Sequence, residues 1–432
     1  MDHLAHDLIS PAFDRRLDPS PGRPLAVAYS GGGDSLAALV ATLAWGQRHG
    51  RRVVALHVDH RLQDQSADWA RLAEATARRL GAEFVGLAWT GDKPSRRLPA
   101  AARRARHALL AEAARAAGAA VVVLGHTADD ILEADLMRAE GASLGWLREW
   151  GPSPVWPEGR DLFLLRPVLD LRRAEIRRRL APLGLSWIED PANADPASAR
   201  ARARLRLVEA DEPSPQQDRT AEAVSQLALQ AEFDAGGGLA IDRGLIAAAP
   251  ADAARRFLSA SLVCVGGGEA PPRRERLANL IARLADETPF VATLAGVRLE
   301  AGSKLRLSRE IGAYRRHGAP RLSLAPGETG IWDGRFELEN HAPGAIEILP
   351  LAGQAAKLCK DQRDSLRPWP AAARGGLPAA LGDDGVTCPL LGRSAPATAW
   401  SLVKARLWGA CGVISQENRS ELAGAAFSRV AE

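Results

Sequence analysis

Apolar and polar positions alternate in blocks through the first half of the chain. Residues 25–29 form an unbroken apolar run of strand length, and Leu36, Leu39, Val40, Leu43 and Ala44 then recur at helical spacing. The same beat repeats downstream. Residues 53–58 read as strand, 66–80 as helix, 83–89 as strand, 99–117 as helix, 119–124 as strand and 129–140 as helix. That alternation predicts an α/β fold, a doubly wound, mostly parallel sheet covered by helices on both faces. Ligands of such sheets lie beyond the carboxyl ends of the strands. Polar clusters fall there: residues 30–35, His57-Val58-Asp59-His60, and Gly125-His126-Thr127-Ala128-Asp129-Asp130. They are predicted to converge on one crevice.

The pattern breaks at a Pro-rich stretch, 151–157, and again at a polar stretch, 211–217, that reads as a linker. Beyond it 221–233, 251–265 and 274–286 read as helices. Strand-like alternation begins near 287, as in Arg335-Phe336-Glu337-Leu338-Glu339, and Pro-rich turns continue to the end. At 432 residues the chain exceeds one ordinary domain. The expected division is a catalytic α/β domain over 1–210, a helical domain over 211–320 and a small, mainly β, α+β region over 321–432. No internal repeat is visible.

Composition narrows the class. No window approaches the ~18 apolar residues of a membrane span, and the first ten residues are mixed, with Asp2 and Asp7, unlike a secretory signal. Cys264, Cys359, Cys388 and Cys411 lie far apart without metal or redox spacing, which suits a reducing cytoplasm. A net charge of +4 and a pI near 9.1 permit nucleic-acid binding.

The segment Ser30-Gly31-Gly32-Gly33-Asp34-Ser35 joins the first predicted strand to its helix. Free backbone N–H groups and the positive end of the helix dipole meet an anion there. Glycines let the backbone approach a phosphate closely. Two hydroxyls add donors, and Asp34 offers a carboxylate suited to Mg²⁺. The turn is built to hold a polyphosphate. A Walker A loop needs Gly-Lys, and no lysine here follows a glycine; the dinucleotide fingerprint needs a glycine where Leu36 stands. The Ser-Gly-Gly-x-Asp-Ser signature instead resembles the PP-loop of N-type ATP pyrophosphatases, which split ATP between its α and β phosphates. ATP and Mg²⁺ are what that resemblance implies.

Asp130 and Glu133 share a face of the helix that starts near Ala128. Acidic residues in a first turn also complement the dipole, but the preceding strand and Gly125-His126 place this pair at the crevice. Gly125-His126-x-x-Asp129-Asp130-x-x-Glu133 resembles the second signature of the tRNA(Ile)-lysidine synthetase family. Further matches keep that family's order: His57-x-Asp59-His60-x-Leu62 with Ser66, Ala102-Arg103-x-x-Arg106, Arg166-Pro167-Val168-Leu169, and Glu189-Asp190-Pro191-Ala192-Asn193-x-Asp195 with Arg200 and Arg204. The resemblance is strong over 24–206 and weakens beyond. It implies ligation of free L-lysine to C2 of the wobble cytidine of the CAU-anticodon isoleucine tRNA, through an adenylated cytidine. Asp34 is then the Mg²⁺ ligand, and Asp130 and Glu133 bind and activate the lysine, in an order left open. Ser30, Gly31, Gly32, Gly33, Ser35, His57, Asp59, Gly125 and His126 hold ATP. Arg103, Arg106, Arg200 and Arg204 contact phosphates or tRNA. The resemblance allows a homodimer.

The chain departs from the family pattern at Ile131, Ala134, residues 139–143 and Ala201. Trp146, Trp150 and Trp156 near that loop could stack an extruded base, although such residues more often pack a loop. Arg172, Arg173, Arg177, Arg178 and Arg179 spread around a helix and read as a solvated face. Other PP-loop enzymes share the first motif. Thiolating members need cysteines at the crevice and amidating members need a glutaminase; neither is found. A nucleotide-binding protein that has lost catalysis is the remaining alternative, and release of pyrophosphate distinguishes an enzyme from it.

Overall fold

Six strands build the sheet that the apolar runs predict: β1 (Leu25–Ala28), β2 (Val53–Asp59), β3 (Glu83–Ala88), β4 (Val121–Leu124), β5 (Trp150–Pro152) and β6 (Phe163–Leu165). The structure, a computed structural model, describes residues 11–20, 22–63, 65–96, 98–141, 147–189, 199–208, 220–286, 288–383, 385–392 and 395–417. The strand order is β3-β2-β1-β4-β6-β5, parallel throughout except for β5 against β6. The chain winds outward through β2 and β3 on one side of β1 and through β4 and β6 on the other. The order therefore reverses between β1 and β4, the switch point at which such sheets bind ligands. Ala28 and Leu124 are register partners, so the two strands end level.

Helices cover both faces. Leu110, Ala111 and Ala114 of α4 (Leu98–Ala116) pack on Ala26, Val54, Leu56, Val122 and Leu124. The alternate strand residues Leu25, Val27, Ala55 and Val123 point to the other face and are also buried. There α2 (Gly33–Arg48) packs on β1 and β4. The other α-helices among the described residues of this unit are α1 (Pro11–Arg16), α3 (Ser66–Arg79), α5 (Ala128–Ala139), α6 (Arg173–Leu180) and α7 (Ala199–Val208). The Pro-rich stretch expected only as an interruption supplies β5, an edge strand, where a proline is tolerated.

The described residues up to 208, together with 415–417, form one compact unit, and 220–414 form a second. In the second unit the expected helices appear as Ala221–Leu229, Ala251–Gly266 and Arg274–Ala285. They pack with an antiparallel sheet of Glu232–Phe233, Leu239–Asp242, Phe290–Leu294, Val297–Ala301 and Lys304–Arg309 around Phe257, Leu262, Leu299 and Leu305. The helix Val403–Cys411 returns to this core through Val403 and Leu407, so residues expected in two stretches share one hydrophobic interior. Four-stranded and three-stranded antiparallel sheets over 322–401 make up the β region. The stretch expected as a linker, 211–217, lies outside the described residues.

Candidate active site

The glycine turn is shaped by its own serines. The Ser30 N–H donates to Ser35 Oγ (3.2 Å), and the Ser35 hydroxyl donates to the Gly32 carbonyl (2.8 Å). Gly31 has φ of +89°, and a Cβ there would fall 2.4 Å from Ile188 Cδ1, so only glycine suits the position. Gly33 opens α2 against the face of Trp187. The turn is clamped from outside by the Ile188 N–H, which donates to the Gly31 carbonyl (2.9 Å). Gly125, just past β4, serves a different purpose. A Cβ there would lie 2.4 Å from the Asp34 carbonyl oxygen, so its bareness lets the end of β4 touch the turn.

That contact brings α5 alongside Asp34. Thr127 caps α5: its N–H and hydroxyl both donate to Asp130 Oδ2 (2.8 and 3.0 Å). Asp130 Oδ1 is left facing the crevice. Glu133, one turn on, is fully buried. Asp129 points away and is structural: its Oδ2 accepts the Arg173 N–H (2.8 Å) and its Oδ1 accepts Arg172 Nε (3.1 Å).

Guanidinium groups fill the space between the carboxylates. Arg173 donates from Nε to Asp34 Oδ2 (2.9 Å), from Nη2 to Asp130 Oδ1 (3.0 Å) and from Nη1 to Glu133 Oε1 (2.5 Å). Arg200 donates to Glu133 Oε2 and Asp130 Oδ1 (both 2.9 Å), and Arg204 to Glu133 Oε1 (3.0 Å). Arg200 and Arg204, expected to contact phosphates or tRNA, are placed here on the α5 carboxylates. Burial raises the Asp34 carboxyl above its ordinary range despite Arg173 beside it. Its Oδ1 is buried with no hydrogen-bond partner.

A second group of arginines, Arg103, Arg106 and Arg166, lies within electrostatic range of Asp130. Burial, reinforced by Arg103, pushes Arg106 and Arg166 down to about 10. Arg106 Nε is buried without a partner. Crowded cations with an unmet buried donor form a receptor for an anion. Arg166 Nε donates to His126 Nδ1 (3.0 Å), leaving the His126 proton on Nε2, and burial with Arg166 nearby holds that ring neutral, well below its usual range. Burial likewise pushes His107, which stands where the family pattern has tyrosine, down to about 2.

The structure places the remaining expected residues as follows. His57 Nδ1 bonds the Tyr29 carbonyl (2.9 Å), tying β2 to the start of the turn. Asp59 Oδ1 accepts the Arg61 N–H (2.7 Å) in a turn at the end of β2. Trp150 is buried and stacks on Phe163 at 5.0 Å, so it packs the sheet edge and does not serve as a base-stacking platform. Trp146 and residues 190–198 lie outside the described residues.

The expectation of a solvated arginine face over 172–179 fails at its first two members. Arg173 exposes 11% of its side chain and joins three carboxylates, and Arg172 bonds Asp129. One signal was available in the sequence. Cations disfavour a helix N-terminus, yet Arg172 is the N-cap and Arg173 the first residue of α6. Residues in the wrong place for the dipole are held there by something else.

A parallel sheet with a Ser-Gly-Gly-Gly-Asp-Ser turn at its switch point, an acidic helix beside it and a group of arginines near that helix defines a PP-loop nucleotide-binding protein. The family model of the PP-loop domain matches residues 7–211. The chain is 46% identical over 419 residues to the tRNA(Ile)-lysidine synthase of Caulobacter vibrioides, covering 95% of this chain and 99% of that protein. The enzymes of the same name from Hyphomonas neptunium and Rhizobium meliloti are 36% and 34% identical, over 67% and 77% of this chain and 83% and 76% of theirs. The chain belongs to the tRNA(Ile)-lysidine synthase family.

Proposed function

We infer that this protein is an ATP-dependent ligase that forms lysidine on tRNA(Ile), joining the ε-amine of free L-lysine to C2 of the wobble cytidine of the CAU anticodon. The observation that supports the reading most is the meeting of Asp34, Asp130 and Glu133 beside a polyphosphate turn, with Arg103, Arg106 and Arg166 gathered nearby. An anion site and a cation site adjoin, as a reaction between a nucleotide and an amine requires.

In the first step the cytidine C2 oxygen attacks the α-phosphorus of ATP, and the bond to pyrophosphate breaks. Backbone N–H groups of the turn, the Ser30 and Ser35 hydroxyls, neutral His126 through Nε2–H and Arg103, Arg106 and Arg166 hold the developing negative charge. Mg²⁺, when bound, neutralises the leaving pyrophosphate. Asp34 is the side chain to hold it, because its Oδ1 is buried and unpartnered.

In the second step the lysine nitrogen attacks C2, the C2–O bond to AMP breaks, and the nitrogen gives up a proton. An amine of pKa ≈ 10.4 is neutral in only about one molecule in 2,500 at pH 7, so a carboxylate must hold the ammonium and take its proton. Asp130 and Glu133 are the carboxylates for this, and residues 211–320 and 321–432 are proposed to bind the tRNA. The test is incorporation of labelled lysine into an isoleucine tRNA with a CAU anticodon, with and without ATP, and with the wobble cytidine changed to uridine. ATP-dependent incorporation lost in the uridine tRNA is expected. Asp34→Ala should abolish pyrophosphate release. Asp130→Asn and Glu133→Gln should keep pyrophosphate release while lysine incorporation falls about 100-fold or more. Wild-type incorporation in both carboxylate variants would refute the assignment.

A further inference from the structure

The carboxylates assigned to the lysine and to Mg²⁺ are already paired with the protein's own cations. Asp34, Asp130 and Glu133 pair with Arg173, Arg200 and Arg204, and Arg103, Arg106 and Arg166 add further positive charge near Asp130. Arg173 alone touches all three carboxylates, and it is the most deeply enclosed of the three arginines, with 11% of its side chain exposed against 43% and 34%. A lysine ammonium entering this arrangement would add a positive charge where each carboxylate is already paired with a guanidinium, which is costly around the buried Glu133. A guanidinium must leave before the amine can be held.

The surroundings of Arg173 dictate how it leaves. Its backbone N–H is fixed on Asp129 Oδ2, and the neighbouring Leu171 carbonyl accepts the Ala128 N–H (2.9 Å). The main chain is anchored to the start of α5, so only the side chain is free to swing. Its Nε lies on Asp34, which follows the glycine turn directly. A polyphosphate on that turn is therefore within reach of the same side chain, and a guanidinium pairs with phosphate at least as well as with a carboxylate.

We propose that Arg173 is a positioning residue that occupies the lysine and metal carboxylates until a nucleotide on the glycine turn withdraws it, so that nucleotide binding opens the lysine site. The order is useful chemically, because lysine is admitted only where a nucleotide is in place. The proposal rests on the ligase reading above and adds the coupling between its two sites.

The experiment measures binding of labelled lysine to the full-length protein with and without α,β-methylene-ATP and Mg²⁺. It compares wild type, Arg173→Gln, which keeps donors but no charge, and Arg173→Lys, which keeps the charge. Tightening of lysine binding by about tenfold or more is expected in wild type when the analogue is added, a size ordinary for coupled sites. In Arg173→Gln lysine should bind tightly without nucleotide and the ratio should fall below about twofold, while Arg173→Lys retains the dependence. An equal nucleotide dependence in Arg173→Gln and wild type, or none in wild type, overturns the proposal. Lysine incorporation into tRNA by the same wild-type preparation separates that outcome from failure of the ligase reading, since it persists if only the coupling is wrong.

Discussion

At the scale of single residues, this site depends as much on an absent side chain as on charged ones. Gly125 has no unusual φ to justify it; its value is the contact with the Asp34 carbonyl, which a Cβ would approach to 2.4 Å. Backbone cannot yield as a flexible side chain does, so Gly125→Ala should push the end of β4 from the turn and carry Asp34 out of place. Pyrophosphate release should drop about 100-fold, the order of loss for a displacement near 1 Å in a reacting group. Gly151, in β5 of the same sheet, has nothing within 4 Å of an added Cβ, and Gly151→Ala should leave the rate unchanged. Equal rates in the two variants would show that the contact is not what aligns the turn. Much of this residue scale could be read from the sequence: the glycine turn, Asp130 and Glu133 stand together as the spacing implied. Arg173 could not be read so easily. Its role depends on the fold of residues 166–173 around the start of α5, and helical periodicity alone assigns such a residue to solvent.

At the scale of elements, strand and helix positions were legible wherever one period dominated. Every expected element from 25 to 140 is present within about two residues, because a half-buried helix and a buried parallel strand leave distinct patterns. The second unit was less legible. Its antiparallel strands over 290–309 alternate as expected, but Glu232–Phe233, the edge strand beside Leu239–Asp242, is too short to carry a pattern and was read as the end of a helix. One side chain ties several of these elements together. Asp333 accepts from Arg309 Nε (3.0 Å), Arg335 Nε (2.7 Å) and the Tyr314 hydroxyl (2.6 Å). It thereby joins the strand Lys304–Arg309, the helix Ile311–His317 and the turn before Phe336–Asn340. Burial alone would raise its carboxyl, but Arg335, Arg309 and Tyr314 outweigh burial and hold it below the usual range. The folded pKa is below the unfolded one, so the stabilisation is complete above the unfolded value near 3.9 and is lost as pH falls through the folded value. Asp333→Asn should cost about 3–5 kcal/mol in urea unfolding at pH 7. The gap from wild type should narrow only below about pH 4; a gap that already closes between pH 7 and 5 would mean that Asp333 is not the group responsible.

At the scale of the whole molecule, the chain does something that no local pattern announces: the described residues of the first unit stop at 208, and the chain comes back to that unit at Ser415. Arg16 Nη1 donates to the Ser415 carbonyl (2.8 Å), and the Asp18 N–H donates to Glu417 Oε2 (3.0 Å). Arg51, with 1% of its side chain exposed, grips Glu417 through both terminal nitrogens (2.7 and 2.8 Å). The partners are 366 positions apart, beyond the reach of any sequence window. This changes what a truncation means. A fragment ending at residue 210 removes more than the proposed tRNA-binding part; it strips Glu417 from a buried guanidinium, a loss of about 3–5 kcal/mol. The consequence is a prediction whose sign reverses with context. In the full chain Arg51→Met breaks the pair and exposes Glu417 to an apolar neighbour, so it should destabilise. In the 1–210 fragment the same substitution removes an uncompensated buried charge and supplies apolar volume, so it should stabilise by about 1–4 kcal/mol. Urea unfolding of the four proteins decides it, and ATP binding should survive in the fragment that carries Arg51→Met. If the substitution destabilises the fragment as much as the full chain, Arg51 is held by its bonds to the Arg23 and Asp18 carbonyls, and the returning segment is not what keeps the first unit folded.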